Sequence, residues 1–345
     1  MSKVLYFHHY NDFSGSTRVL ANILEKEVLA GNRPVVITDN TINGCLSKID
    51  NARIINLPIL RINRRAIPGI SQIVWIFEGL FFAIIYGRKF DTFYINTIVP
   101  AYAAICGSLM RKHIIYHVHE KFTHLTLQDK ICEYVFSKTK ADRIFVSNYL
   151  KEQYPNPHNY PSRVQYNKLS VEYNNNVKRV AAENHNLDTI IMVSSLFVEK
   201  GVLVYRNLAK QMSNYRFFLI VNAPMDSVLT FLGNDVPSNM KIYSNQKDVQ
   251  PFYAVSDLVL NLTQPNLLVE SFGMTILEGM AYGLPAIVPN AGGPMELVED
   301  GYNGFTVDVT DLDLLEERIR YCLTKENYIR LYNNSLSRFE SLDNA

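Results

Sequence analysis

The chain has 345 residues, 48% of them hydrophobic, with 34 Lys plus Arg against 33 Asp plus Glu. That length suits roughly two domains of ~100–200 residues, each able to bury its own core. The charge balance lacks the basic excess that general nucleic-acid binding requires, and the four scattered cysteines, Cys45, Cys106, Cys132 and Cys322, read as reduced thiols of a cytosolic protein rather than a disulfide framework or zinc site.

The apolar run Val4 to Phe7 is too short for a signal peptide and reads as a first buried strand. In the first half, strands are predicted at Lys3–Phe7, Pro34–Thr38, Arg53–Leu57, Thr92–Asn96, His113–His117 and Arg143–Ser147, with helical patterns between most of them. Prolines and asparagines from Tyr154 to Asp188 interrupt the rhythm, leaving one short strand at Val164–Asn167. It then resumes, with strands at Thr189–Ser194, Arg216–Val221, Met240–Tyr243, Leu258–Leu262, Ala286–Val288 and Gly304–Val307. Short continuous apolar strands alternating with helices predict parallel sheets covered on both faces. The expected organisation is an α/β domain over 1–167, a linker over 168–187, a second α/β domain over 188–325, and a helix over 326–345 that crosses back to the first domain. Ligands of such sheets bind at the carboxyl ends of the strands, here in the cleft between the domains.

Segment 70–86 is shorter than the ~20 residues of a membrane span and contains Glu78. Ile70, Ile73, Val74, Phe77, Leu80, Phe81, Ile84 and Ile85 form one helical stripe, assigned to a core. Trp75 and Phe82 lie off it, and Arg61, Arg64 and Arg65 precede it, a pattern that also suits contact with an anionic membrane surface. Burial in the first domain is the favoured reading.

Glu270-Ser-Phe-Gly-Met-Thr-Ile-Leu-Glu278 carries the most chemical information. One carboxylate precedes a glycine-softened helix start, and the second lies about two turns on, near the same face. The N–H groups of Gly273, Met274 and Thr275 between them are free to meet an anion. A cradle for a diphosphate, flanked by carboxylates for sugar and ribose hydroxyls, suits a sugar nucleotide. Taken singly, either glutamate reads as a surface residue; the whole string after a strand and loop reads as a site. Lys200-Gly201, at a strand-to-helix turn, can neutralise a phosphate, although a lone surface lysine is ordinary. Phe13-Ser-Gly15-Ser-Thr-Arg18 opens a helix after the first strand and reads equally as structure or as a ligand turn. His117 and His119 end a strand on one side, with Glu120 opposite; two histidines without a third ligand make a poor metal site. Asp311-Leu-Asp313 has an Asp-x-Asp form but opens a helix, where aspartate is a common cap.

The stretch from about 257 to 308 resembles the donor-site motif of glycosyltransferase family 4, retaining enzymes of the GT-B fold ("glycosyl transferases group 1"). The resemblance rests on Glu270 and Glu278, on Gly-Met-Ala-Tyr-Gly283-Leu-Pro285, on Ala291-Gly-Gly-Pro-Met-Glu296 and on Gly301-Tyr-Asn-Gly-Phe305. It is collinear but diffuse over the rest. It implies two Rossmann-like doubly wound domains facing across a cleft, the first for the acceptor and the second for the nucleotide sugar. It assigns Glu270 to donor-sugar hydroxyls, the backbone of Phe272, Gly273, Met274 and Thr275 to sugar and phosphate, Glu278 to ribose and Lys200 to the diphosphate. Ser195 stands where the family usually has arginine, and Gly15 where it usually has two glycines. The family's His-Asp aligns best with His119-Glu120, placing His119 near the reacting carbon; His117 is the register alternative. The catalytic set is therefore His119, Glu270 and Lys200.

The resulting expectation is a retaining glycosyltransferase that uses a nucleotide-diphosphate sugar and a glycan or lipid-linked hydroxyl acceptor. It needs no metal and no cofactor, and it works in surface polysaccharide or lipopolysaccharide synthesis, cytoplasmic or peripheral at the inner membrane face. The alternatives are another GT-B enzyme, such as a sugar-nucleotide epimerase or hydrolase, and a sugar-nucleotide-binding protein with weakened chemistry. A dinucleotide oxidoreductase is disfavoured, since no GxGxxG follows the first strand.

Overall fold

Val-, Ile- and Phe-rich runs separated by helices assemble into two parallel sheets. The computed structural model describes residues 3–39, 44–57, 68–122 and 126–344 and divides into two units, Met1–Asn167 and Lys168–Ala345.

The first unit runs β1 (Val4–Tyr10), α1 (Gly15–Leu29), β2 (Val35–Asp39), β3 (Arg53–Asn56), α2 (Pro68–Gly87), β4 (Thr92–Asn96), α3 (Ala101–Leu109), β5 (His113–Val118), α4 (Leu127–Lys138), β6 (Asp142–Phe145), α5 (Asn148–Glu152) and β7 (Ser162–Val164). The strands lie in the order β3-β2-β1-β4-β5-β6-β7. Each paired strand is parallel to its neighbour; Phe7 pairs with Ile95, and Asn96 with His117. From β1 the chain builds outward to β2 and β3, then returns to lay β4 on the other side of β1. That reversal opens a crevice at the carboxyl ends of β1 and β4, where sheets of this kind receive ligands.

Helix α2 forms as expected, but with the opposite face inward. Phe77, Phe81, Ile84 and Ile85 of the expected core stripe are 67, 60, 42 and 48% exposed. The inward face carries Gly79, Ala83 and Gly87, with Glu78 buried beside them. A Cβ on Gly79 would lie 2.6 Å from the Tyr102 ring, and one on Gly87 2.5 Å from that of Phe93. Small residues let the helix backbone rest directly on these rings, and this contact outweighs turning the larger apolar side chains inward. Arg61, Arg64 and Arg65 lie outside the described residues, as do the side chains of Ile70, Ile73, Val74 and Trp75.

The second unit runs α6 (Val171–Asn176), β8 (Thr189–Ser194), α7 (Val202–Gln211), β9 (Arg216–Val221), α8 (Met225–Phe231), β10 (Met240–Ser244), α9 (Gln250–Tyr253), β11 (Leu258–Leu260), α10 (Met274–Ala281), β12 (Ala286–Pro289), α11 (Pro294–Leu297), β13 (Gly304–Val307), α12 (Leu312–Cys322) and α13 (Lys325–Asn344). Its order, β10-β9-β8-β11-β12-β13, repeats the reversal, with the crevice at the ends of β8 and β11. A core of Ile190, Met192, Phe217, Leu219, Leu258 and Leu260 is closed by Tyr328, Leu331 and Tyr332 of α13. Ser335 Oγ on that helix donates to Leu284 O at 2.8 Å. The 168–187 segment, expected as a linker, carries α6 and a short helical turn over Ala182–Asn184. Beyond that turn, His185 Nδ1 lies 2.8 Å from Asp257 Oδ1 beside the Tyr328 and Tyr332 rings.

Candidate functional site

In the second unit, two loops meet at the carboxyl ends of β8 and β11. The first ends in a helical turn over Val198–Lys200, after which Gly201 starts α7 at φ 74°. A Cβ on Gly201 would fall 2.1 Å from Leu262 O, so only glycine lets this turn lie against the chain leaving β11. Gln264 N fastens the two by donating to Glu199 O at 2.8 Å. Lys200, carried on that turn, donates through Nζ to Glu270 Oε2, an ion pair joining residues 70 positions apart. The two side chains keep 21 and 27% of their surface open, so a ligand can reach both.

Glu270 is held from below by the Gly292-Gly293 turn. Gly293 N donates to Glu270 O at 2.9 Å. At Gly292, φ is 79°, and a Cβ would lie 2.4 Å from the same oxygen. Gly273, at φ 110°, then opens α10, whose first N–H groups, those of Met274 and Thr275, have no intrahelical acceptor. Phe272 is buried. Glu278, one side of the expected pair, is not an open carboxylate: it is 4% exposed, with Tyr253 Oη 3.1 Å from Oε2 and 3.0 Å from Thr275 O. Ser195 is half-buried, and its carbonyl accepts from Ser194 Oγ at 2.9 Å and Phe197 N at 3.1 Å.

In the first unit, the ends of β1, β4 and β5 carry a buried polar cluster. His119, just after β5, places Nε2 2.9 Å from Asn96 Oδ1. Asn96 Nδ2 lies 3.0 Å from His8 Nδ1 and donates to Ser16 O at 3.0 Å, one residue beyond Gly15. Asn96 thus joins two predicted features, His119 and the Gly15 turn. The His117 ring lies 4.2 Å from that of His119, tilted by 45°, and places Nδ1 2.8 Å from Tyr94 Oη. Burial holds the His8 and His117 pKa values at about 4 and about 3. Burial, with neighbouring His117 and His8, takes that of His119 well below its ordinary range. Burial also pushes the half-buried Glu120 up to about 7. At the turn, the Asp12 carboxylate accepts from Ser14 N at 3.0 Å, Ser14 Oγ at 2.7 Å and Thr17 Oγ1 at 2.6 Å. Burial raises the Asp12 pKa, but the hydrogen bonds from Thr17 and Ser14 outweigh it and hold the group below its ordinary range. An acid of the chain itself therefore already occupies the leading end of α1.

Asp311 caps α12 by accepting from Leu314 N at 3.0 Å. Among the described residues, no cluster of three or more His, Cys, Asp or Glu side chains is placed to hold a metal ion. Likewise, no described helix is long and apolar enough to cross a membrane. Tyr253, Asn96, His8 and Asp12 belong to none of the sequence motifs, and Thr17 enters only as part of the Gly15 turn. The hydrogen bonds that recruit Tyr253 and Asn96 to the predicted residues span 23 to 25 positions.

Residues 174–337 match the family model described as Glycosyl transferases group 1. A sucrose synthase of Denitrovibrio acetiphilus is 38% identical over 78 residues, covering 21% of this chain and 10% of that protein. The chain thus spans a tenth or less of the length of such curated relatives. The crystal structure of Anabaena HepE in complex with UDP and glucose superposes with a TM-score of 0.77 at 18% identity, covering 100% of this chain and 98% of that one. WaaG, a glycosyltransferase involved in lipopolysaccharide biosynthesis, superposes at 0.73 with 13% identity, over 98% and 95% of the two chains. The fold is that of GT-B glycosyltransferases, two parallel-sheet α/β domains of seven and six strands.

Proposed function

We propose that the chain is a retaining, metal-independent glycosyltransferase that moves a sugar from a nucleoside-diphosphate sugar to a hydroxyl acceptor. The observation carrying this reading is the Lys200–Glu270 ion pair beside the open start of α10, inside the segment that matches the family model. A diphosphate would take Lys200 and the N–H groups of Met274 and Thr275, and the released Glu270 would accept hydrogen bonds from sugar hydroxyls. Glu278, oriented by Tyr253, would hold the ribose. His119 would contact the donor sugar, and the first unit would bind the acceptor.

Lys200 and the helix N–H groups would stabilise the charge that develops on the leaving diphosphate, so the reading calls for no metal. The acceptor hydroxyl attacks from the face the diphosphate leaves. The bond from the anomeric carbon to phosphate oxygen breaks as the new glycosidic bond forms, and the phosphate oxygen takes the hydroxyl proton. Configuration is retained.

UDP-glucose is the first donor to test, since HepE was crystallised with it. Incubation with donor alone separates the classes. A transferase releases UDP slowly and leaves the remaining donor unchanged in configuration, with or without EDTA. Steady epimerisation without acceptor overturns the reading in favour of an epimerase. Surface polysaccharide or lipopolysaccharide synthesis at the inner membrane face is the proposed setting. It is supported by the outward Phe77, Phe81, Ile84 and Ile85 of α2, together with the exposed Arg88 and Lys89 just after that helix and Arg111 just after α3.

A further inference from the structure

The polar cluster at the ends of β1, β4 and β5 can be read with a direction. Ser16 O only accepts, so the Asn96 side-chain atom 3.0 Å from it is the amide nitrogen. Asn96 Oδ1 therefore faces His119 Nε2, 2.9 Å away, and that nitrogen must carry the proton. The second Asn96 N–H points to His8 Nδ1 at 3.0 Å, closer than the main-chain Asn96 O at 3.3 Å; the nearer donor takes the Nδ1 lone pair, and the His8 proton then sits on Nε2, which donates to Thr17 Oγ1 at 2.9 Å. Thr17 Oγ1 passes its own proton toward Asp12 Oδ1 at 2.6 Å. Each group donates in the same sense, from His119 to a carboxylate. Asn96 engages His119 Nε2, so Nδ1 is the ring nitrogen left to meet a ligand, and the residue keeps 9% of its surface open, whereas His117 Nε2 is sealed away without a partner among the described residues. Thr97, next to Asn96, supplies an independent sign of constraint. It is β-branched and buried, yet held at φ 71°, with its N–H on His117 O at 2.8 Å.

We propose that Asn96 is a positioning residue which, through this one-way chain ending on Asp12, holds His119 as the neutral tautomer with its proton on Nε2 and offers its Nδ1 lone pair to a ligand hydroxyl. The tautomer follows from the chain itself; the hydroxyl as a sugar hydroxyl rests on the glycosyltransferase reading. The device couples the Gly15 turn to His119, so a ligand that moves one moves the other.

Long-range proton–nitrogen correlation spectra of the labelled full chain near pH 7, assigned with His119→Gln, decide the first part without any ligand. A protonated Nε2 and bare Nδ1 on His119 are expected; the opposite tautomer, or an equal mixture, overturns the proposal. Asn96→Leu should give mixed tautomers. Asn96→Asp, which offers His119 a charge and withdraws the donor from Ser16 O, should make His119 an imidazolium. An unchanged His119 spectrum in a folded variant overturns the role of Asn96. Titration calorimetry with two probes tests the second part. Thr17→Val, a milder break in the chain, and Asn96→Leu should weaken UDP-glucose about three- to tenfold, the range of one lost neutral hydrogen bond, and leave UDP unchanged. Equal loss for both probes marks a merely structural role. If the unaltered chain binds neither probe, the glycosyltransferase reading falls while the tautomer result still stands.

Discussion

Gly292→Ala is the sharpest perturbation of the second-unit site, because it touches no ligand-facing side chain. The added methyl carbon would lie 2.4 Å from Glu270 O and 2.7 Å from Val269 Cγ1, at a backbone φ of 79°. The left-handed conformation alone costs a non-glycine residue about 1–2 kcal/mol. Restoring ordinary contact with a carbonyl oxygen requires a backbone shift of roughly 1 Å, which adds about 1–3 kcal/mol, as other overpacked sites do. The total, about 2–5 kcal/mol, is paired with a functional loss, since the shift carries Glu270 with it. A misplacement of ~1 Å can reduce turnover by ~100-fold. Gly233→Ala is the control: φ is 68°, but nothing lies within 4 Å of the new carbon, so only the conformational part applies. Urea unfolding should place Gly292→Ala well below Gly233→Ala, and UDP-glucose affinity should fall in the first alone. Equal destabilisation of the two, or unchanged affinity in Gly292→Ala, refutes the claim that the glycine turn positions Glu270.

Tyr253→Phe removes a hydroxyl 3.1 Å from the buried Glu278 carboxylate and should cost about 1.5–3 kcal/mol, read as a lower melting temperature. The buried histidines predict a pH dependence. Their folded pKa values lie below the unfolded 6.5, with His8 at about 4, His117 at about 3 and His119 well below, so their stabilisation is complete above pH 6.5 and declines below it. Glu120, raised to about 7, opposes this with one proton bound in the folded state. Three protons on the unfolded chain against one on the folded approach a net of two between pH 6.5 and 4.5, a limiting slope of about 2.7 kcal/mol per pH unit in urea titrations; a flat profile contradicts the buried neutral cluster. Phe77→Ser with Phe81→Ser, at positions 67 and 60% exposed, should leave the melting temperature within about a degree and weaken sedimentation with anionic vesicles; unchanged sedimentation removes the membrane reading.

Most strand positions were legible because a parallel sheet buries both faces of its central strands, which read as continuous apolar runs, as in Thr92–Asn96 and Arg216–Val221; the edge strand β7, Ser162–Val164, is polar and partly exposed and shares only Val164 with the expected Val164–Asn167. The α10 start was legible for a different reason. Gly273 and the residues around it are local, and a helix leaves its first N–H groups open wherever it starts. Helix α2 shows the limit. Periodicity tells which residues share a face, but the buried face was settled by Gly79 and Gly87 meeting the Tyr102 and Phe93 rings, a fit no pattern along the chain encodes. The ion pair between Lys200 and Glu270, and the meeting of Asn96 with His8 across 88 positions, are likewise products of strand order. Lys200 and Glu270 were separately readable, but their direct contact was not.

The central claim is that Lys200, Glu270 and the start of α10 hold a nucleoside-diphosphate sugar. Titration calorimetry of UDP and UDP-glucose against the full chain and Glu270→Gln tests it most directly. UDP-glucose should bind the unaltered chain, and Glu270→Gln should weaken it about tenfold or more, the loss of charged hydrogen bonds to sugar hydroxyls, while UDP binds at least as well because Lys200 is freed from its partner. Equal affinity of the two proteins for UDP-glucose, or weaker UDP binding by the variant, would contradict the account.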